Sequence, residues 1–229
     1  VYKACYPSSM YSGGTITLPA SYDYDGKFNM PMYAESPTTN LSFKNLCGVL
    51  AITVPSTQMT SVSSIVVSAD QQMNGELSGI TDAGVLTFKS ATLSDAEKKV
   101  SLTFTEAKGI TDSETFYLPV PAMSSATLTI TVSNGTDTKT MSTKSGVVSV
   151  ERNTMYPITF KAAQMINGHK YVVLAGYKWA TENVTASGSI SAAAHDDTYG
   201  DYFSQDGSGG GTPAKQAAES WGGSWTLPT

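Results

Sequence analysis

The sequence predicts an all-β chain: an antiparallel β-sandwich over residues 1–161, followed by a smaller module over 162–229. Three observations carry this expectation. Residues 41–54 read as a strand that is apolar on both faces. Around it, short alternating runs recur at fairly even spacing, bounded by turn residues and with no helical period between them. The composition then changes at Ala162, beyond which lie all three Trp and both His.

The organising stretch is Leu41-Ser42-Phe43-Lys44-Asn45-Leu46-Cys47-Gly48-Val49-Leu50-Ala51-Ile52-Thr53-Val54. Leu41 and Phe43 share one face of an extended chain. From Leu46 onward both faces are apolar, with Leu46, Leu50, Ile52 and Val54 on one and Cys47, Val49 and Ala51 on the other. Such a strand is covered above and below. The break in alternation at Lys44-Asn45 predicts a bulge that carries the strand from an edge into a core. A short buried helix is the competing reading, but the β-branched content and the stop at Pro55 favour a strand.

Before this stretch, residues 1–40 are rich in tyrosine, with turns at Gly13-Gly14 and Asp25-Gly26 and a short strand over Thr15–Leu18. They read as a strand plus irregular packing against the sandwich. After it, Val62–Ala69 is β-branched, and Val85–Phe88 follows a turn at Asp82-Ala83-Gly84. Val100, Leu102 and Phe104 alternate with Ser and Thr, as do Leu128, Ile130 and Val132 before the hairpin signal Asn134-Gly135. Phe116, Leu118 and Val120 alternate up to Pro121. Val147–Val150 and the trio Tyr156, Ile158 and Phe160 complete the set. Seven or eight strands joined by turns make an antiparallel sandwich. Leu50, Ile52, Val54, Leu102, Phe104, Phe116, Leu118, Leu128, Ile130, Tyr156, Ile158 and Phe160 are expected to fill one core.

Composition narrows the function classes. Charged residues make up 14% of the chain and hydrophobic residues 40%, far from a disordered composition. Thr and Ser take the outward positions of the strands, a pattern of exported proteins. The net charge is −5, with 13 Lys and a single arginine, Arg152. Without a basic cluster, nucleic acid is excluded as a partner. No run of 18 or more apolar residues is present to span a membrane. Val1 is not an initiator Met and no signal pattern precedes it, which reads as a processed or cut form. Cys5 and Cys47 belong to no CxxC. A buried thiol at Cys47 is the plainer reading, and a Cys5–Cys47 pairing in an oxidising compartment stays open.

The order of several segments carries a family resemblance. Over residues 2–160 the chain resembles the fimbrillin-like surface proteins of anaerobic Gram-negative bacteria. The matching segments are YKACYP, FNMPMYAES, LSFKNLCGVLAITV, FYLPVPA, LTITVSNG and VERNTMYPITF. The resemblance implies a Greek-key, transthyretin-like sandwich that is exported, lipid-anchored through a group outside this chain, and assembled into or displayed on fimbriae. Residues 162–229 resemble the beginning of a FISUMP-type domain, related in shape to C-type-lectin-like folds. They hold His169–Leu174, Tyr177–Val184, Tyr199–Phe203 and Trp221–Thr229 in the family's order. Gln205 and Thr226 stand where that family usually has Trp and Arg. The implied segment is a partial α+β lectin-like module, with a short helix expected over 214–220.

Chemistry is sparse. His195-Asp196-Asp197 pairs a base with carboxylates, but no serine sits in a G-x-S-x-G turn, so no catalytic residue is assigned. Asp196, Asp197, Asp201 and Asp206 lack the spacing of a calcium loop and read as a solvated acidic loop. The Gly-rich segment 207–215 lacks the Gly-Lys-Ser/Thr end of a phosphate loop. No metal and no cofactor is expected. Trp179, Tyr199, Tyr202, Trp221 and Trp225 would make either a sugar-stacking platform or, as the plainer reading, the core of the second module.

The expectation is therefore a non-enzymatic cell-surface subunit at the outer membrane or fimbrium of a Gram-negative bacterium. It would assemble with other fimbrial or surface subunits by strand addition and adhere to host or microbial glycans or proteins. The alternative is a glycan-binding module of a surface polysaccharide-utilisation system.

Overall fold

The computed structural model describes residues 1–26, 28–81, 85–90 and 92–162, together with Tyr171 and the backbone of 164–166, 169–174 and 177–180. The chain divides into two compact units, Val1–Ala162 and Ala163–Thr229. The described residues are nearly all β, with no α-helix and one 3-10 turn at Ser8–Met10. No helix among them is long and apolar enough to cross a membrane.

The tyrosine-rich start folds into β1 (Tyr2–Tyr6), β2 (Tyr11–Ser12), β3 (Thr15–Leu18), β4 (Ser21–Tyr24) and β5 (Met32–Ser36). The organising stretch supplies β6 (Lys44–Asn45) and β7 (Cys47–Pro55). Then come β8 (Ser61–Ala69), β9 (Gly75–Ile80), β10 (Leu86–Phe88), β11 (Lys99–Gly109) and β12 (Ser113–Pro121). The first unit ends with β13 (Met123–Ala126), β14 (Leu128–Ser133), β15 (Thr138–Ser142), β16 (Val148–Val150) and β17 (Met155–Thr159). The second unit contributes an antiparallel meander of β18 (Gln164–Ile166), β19 (His169–Leu174) and β20 (Tyr177–Ala180).

Two sheets share the main core: a five-stranded one in the order β15-β14-β8-β11-β4 and a three-stranded one in the order β12-β7-β17. Alternation decides what each strand contributes. Leu128, Ile130 and Val132 of β14 are fully buried while Thr129, Thr131 and Ser133 face outward, half-buried. Phe116, Leu118 and Val120 of β12 meet Leu50, Ile52 and Val54 of β7 in the same core. Burying each such side chain contributes about 1.5–3 kcal/mol, which makes this core the main source of stability. The expected core residues all belong to it, with Phe104, Tyr156 and Ile158 packed at its partly buried margin. Tyr24, Phe104 and Phe116 form an aromatic trio with ring centroids 4.6–5.6 Å apart, which anchors the short β4 to its neighbours.

The structure departs from the sequence reading in three places. The break at Lys44-Asn45 is a change of sheet, not a bulge within one strand. β6 pairs with β5, the Leu46 N–H donates to Pro31 O at 2.8 Å, and from Cys47 the chain pairs with β12 and β17. One stretch thus feeds two cores. Leu46 and Cys47 lie in a smaller one with Met10, Leu18 and Tyr33, and Leu50 onward lies in the main one. Second, residues 1–40 are more ordered than expected. Their strands build the β1-β5-β6 sheet and half of the β10-β9-β3-β2 sheet, which enclose that smaller core. Third, not every pairing is antiparallel. β4 runs parallel to β11 and β17 parallel to β7, each reached by a long crossover.

Candidate functional site

A protein expected to assemble by strand addition must offer a sheet edge whose backbone groups are unpaired, so the site is built from the edges of the two core sheets. Their edge strands are β15, β4, β12 and β17. In an antiparallel pair, bonded residues alternate with residues whose N–H and C=O point away. That parity can be read from the bonds at the ends of each ladder.

β15 forms because Asn134-Gly135 turns the chain back on β14. Gly135 takes a left-handed φ of 94°, and the Asn134 side-chain oxygen accepts from the N–H groups of Thr136 (2.9 Å) and Asp137 (2.7 Å). The ladder closes with Asn134 N–H donating to Asp137 O at one end and Thr143 N–H donating to Leu128 O at the other. Counting by twos along the register, Lys139 and Met141 bond inward to β14. Thr138, Thr140 and Ser142 turn their backbone groups outward, where among the described residues they meet no backbone partner. All three are exposed.

The side chains of β15 leave that edge clear. Lys139, the charge that would blunt it, folds back so that Nζ donates to Gln58 O at 2.6 Å. Met141 packs against the main core, and its sulfur accepts the Lys161 N–H at 3.3 Å. The outer hydroxyls are tied to β14: Thr140 Oγ1 lies 3.2 Å from Thr131 Oγ1, and Ser142 Oγ lies 3.0 Å from Thr129 Oγ1. The strand is proline-free and, among the described residues, pairs on one side only.

Both edges of the three-stranded sheet differ. Ser56 N–H donates to Asp112 O, so Glu114, Phe116, Leu118 and Val120 of β12 bond inward to β7. Thr115, Tyr117, Pro119 and Pro121 face outward, and the two prolines have no N–H to offer a further strand. On β17, Val49 N–H donates to Thr154 O and Phe160 N–H to Thr53 O, which puts Pro157 in the outward set. β4, the remaining edge, is four residues long.

Among the sequence-predicted site residues, Trp179 lies in β20, where the backbone alone is described. Tyr199, Tyr202, Trp221 and Trp225 lie outside the described residues, as do His195, the acidic cluster, the Gly-rich segment and the helix expected over 214–220. Cys5 and Cys47 are free thiols that share the smaller core, with Cys47 wholly buried. Burial pushes the Cys47 thiol up to about 12.

The sequence reading missed β15 altogether. Its signal was present: a hairpin turn demands a return strand, and Thr138, Thr140 and Ser142 alternate with Lys139 and Met141 immediately after it. Polar alternation without aliphatic residues hid it.

Compared with known proteins, the chain matches no protein-family model and no curated protein.

Proposed function

We infer that this chain is an exported, non-enzymatic cell-surface subunit that assembles with other subunits by strand addition, with β15 as the accepting edge. The observation that carries this reading is the row of outward backbone groups on Thr138, Thr140 and Ser142, set beside proline-blocked edges on the opposite sheet. An added strand gains main-chain hydrogen bonds worth about 1 kcal/mol each, and alternate side-chain positions set its register. The fimbrillin-like order of segments makes a fimbrial or adhesive role the natural setting, at the surface of a Gram-negative cell. The crossing between sheets supports the Greek-key part of the reading: β8 and β11 pair antiparallel in one sheet, and β12 returns beside β7 in the other. The β18–β20 meander supports the sheet portion of a lectin-like second module.

Thr140→Pro tests the reading, because the residue's N–H faces outward and no ladder bond within the chain is lost. In cells expressing the full chain, the variant should fold and reach the surface yet be absent from polymer sedimented by ultracentrifugation. Polymer formed at the wild-type yield by Thr140→Pro would refute strand addition at β15.

A further inference from the structure

Arginine is used once in this chain against 13 lysines, and its position is built with care. Arg152 sits in the turn between β16 and β17. Asn153, at a left-handed φ of 64°, donates its N–H to Cys47 O at 3.1 Å, and Glu151 N–H donates to Tyr156 Oη at 2.7 Å. Gly48 lies directly under this turn: a Cβ there would come within 2.4 Å of Glu151 O. The guanidinium is half-buried and donates from Nη1 to Asn45 O at 2.6 Å. Among the described residues no carboxylate lies within ion-pair distance of it. A planar group with five donors thus spends one of them on the fold.

Arg152 lines a cleft of about 260 Å³. The other polar lining groups are Gln71 and Gln72. Each turns an Nε2 away to a backbone carbonyl, Gln71 to Ser124 O at 2.5 Å and Gln72 to Asn74 O at 3.1 Å. Among the described residues their Oε1 atoms accept no hydrogen bond, so acceptors stand ready for hydroxyl donors. The apolar wall is supplied by Leu86, Phe88 and Pro121.

We propose that this cleft binds a sugar acid of the uronic type, its carboxylate on Arg152, its hydroxyls on the Gln71 and Gln72 oxygens, and one C–H face on Phe88. Three features select that class. A fork of N–H donors matches a carboxylate in a bidentate way. A single cation with no lysine in the lining, on a chain of net charge −5, suits a monoanion and disfavours phosphate or a polyanion. The volume lies below the span of drug-sized sites, about 300–1,000 Å³, and holds one ring rather than an extended ligand. None of its lining residues belongs to β15.

The test titrates the full chain with glucuronate and galacturonate, with glucose, galactose and acetate as comparators, read by calorimetry and saturation-transfer NMR. Uronates should bind in roughly the millimolar range, and each comparator at least about tenfold more weakly because it lacks the carboxylate or the ring. Arg152→Lys keeps the charge, loses the fork, and should weaken binding about tenfold. Ala122 lines the cleft and is exposed, so Ala122→Phe should abolish binding with an unchanged melting profile. A disaccharide ending in a uronate distinguishes sources: binding as tight as the monosaccharide makes the ligand a glycan end, and weaker binding makes it the free acid. Equal binding of acidic and neutral sugars, acetate binding as tightly as uronate, no detectable uronate binding, or full binding by Ala122→Phe would each overturn the proposal.

Discussion

Gly48→Ala is the most informative single change in the main unit, because opposing effects can be weighed on the geometry. Gly48 is the second residue of the buried run of β7, and the turn after β16 lies across it. An added Cβ would sit 2.4 Å from Glu151 O, 2.6 Å from Val150 Cγ1 and 3.2 Å from Thr154 O. Relief requires the Glu151 carbonyl to retreat by roughly 1 Å toward an ordinary contact of about 3.5 Å. That carbonyl is backbone, in a turn pinned by Asn153 N–H to Cys47 O at 3.1 Å and by Val49 N–H to Thr154 O at 2.9 Å. Overpacking of this kind costs about 1–3 kcal/mol, and each turn bond weakened adds up to about 1 kcal/mol. Against this, removing a glycine stabilises by about 0.4–1 kcal/mol through the unfolded chain. The net expectation is a loss of about 1–3 kcal/mol. Urea unfolding followed by circular dichroism measures it. Gly79→Ala is the control, since Gly79 has no atom within 4 Å of a built Cβ and no positive φ, and it should be neutral or slightly stabilising. Equal midpoints for Gly48→Ala and Gly79→Ala would refute the claim that the turn rests on Gly48.

Two further outcomes follow from the smaller core. At pH 8, iodoacetamide should modify the half-buried Cys5 and leave Cys47 untouched until denaturant is added, since burial pushes the Cys47 thiol up to about 12 and hides it; intact mass reads the result, and equal rates would refute the packing. The Glu35 carboxyl is held below its ordinary value, first by the Tyr33 hydroxyl donating to it and also by Lys3, 3.7 Å away. A depressed folded value means stability present above the unfolded carboxylate range, about pH 4.3, and lost as pH falls through the folded value. Tyr33→Phe should bring Glu35 back up toward the ordinary value in an NMR titration, and an unmoved titration would show the hydroxyl does not set it.

The fold was legible wherever apolar residues alternated with Thr or Ser. Leu128, Ile130 and Val132 face the core because a strand has no other way to hide every second residue. Illegible were the choices made between sheets. Leu46 and Leu50 share one face by parity yet lie in different cores, since the chain leaves one sheet for another between them. No local pattern distinguishes that from a bulge. The parallel placement of β4 and β17 was hidden for a related reason: parity fixes which face a residue takes, not which neighbour a strand joins. The Arg152 cleft was invisible because its lining comes from segments far apart in the chain. The one available hint was arginine's rarity.

The prolines give the edges their direction. Pro119, Pro121 and Pro157 all fall at positions whose N–H would point outward, the one parity at which proline costs no ladder bond. That constraint says where a proline can sit, not that it must be present. Both edges of the three-stranded sheet have one, whereas β15 and β4 have none. Blunting is needed wherever a long strand would otherwise pair indiscriminately; β4, at four residues, offers little to pair with. β15, five residues long, is left unblunted, its potential guard, Lys139, being turned inward onto Gln58. Among the described residues, the two sheets of the main core thus differ: prolines stand on both edges of the small one, and none stands on β15 at the edge of the large one.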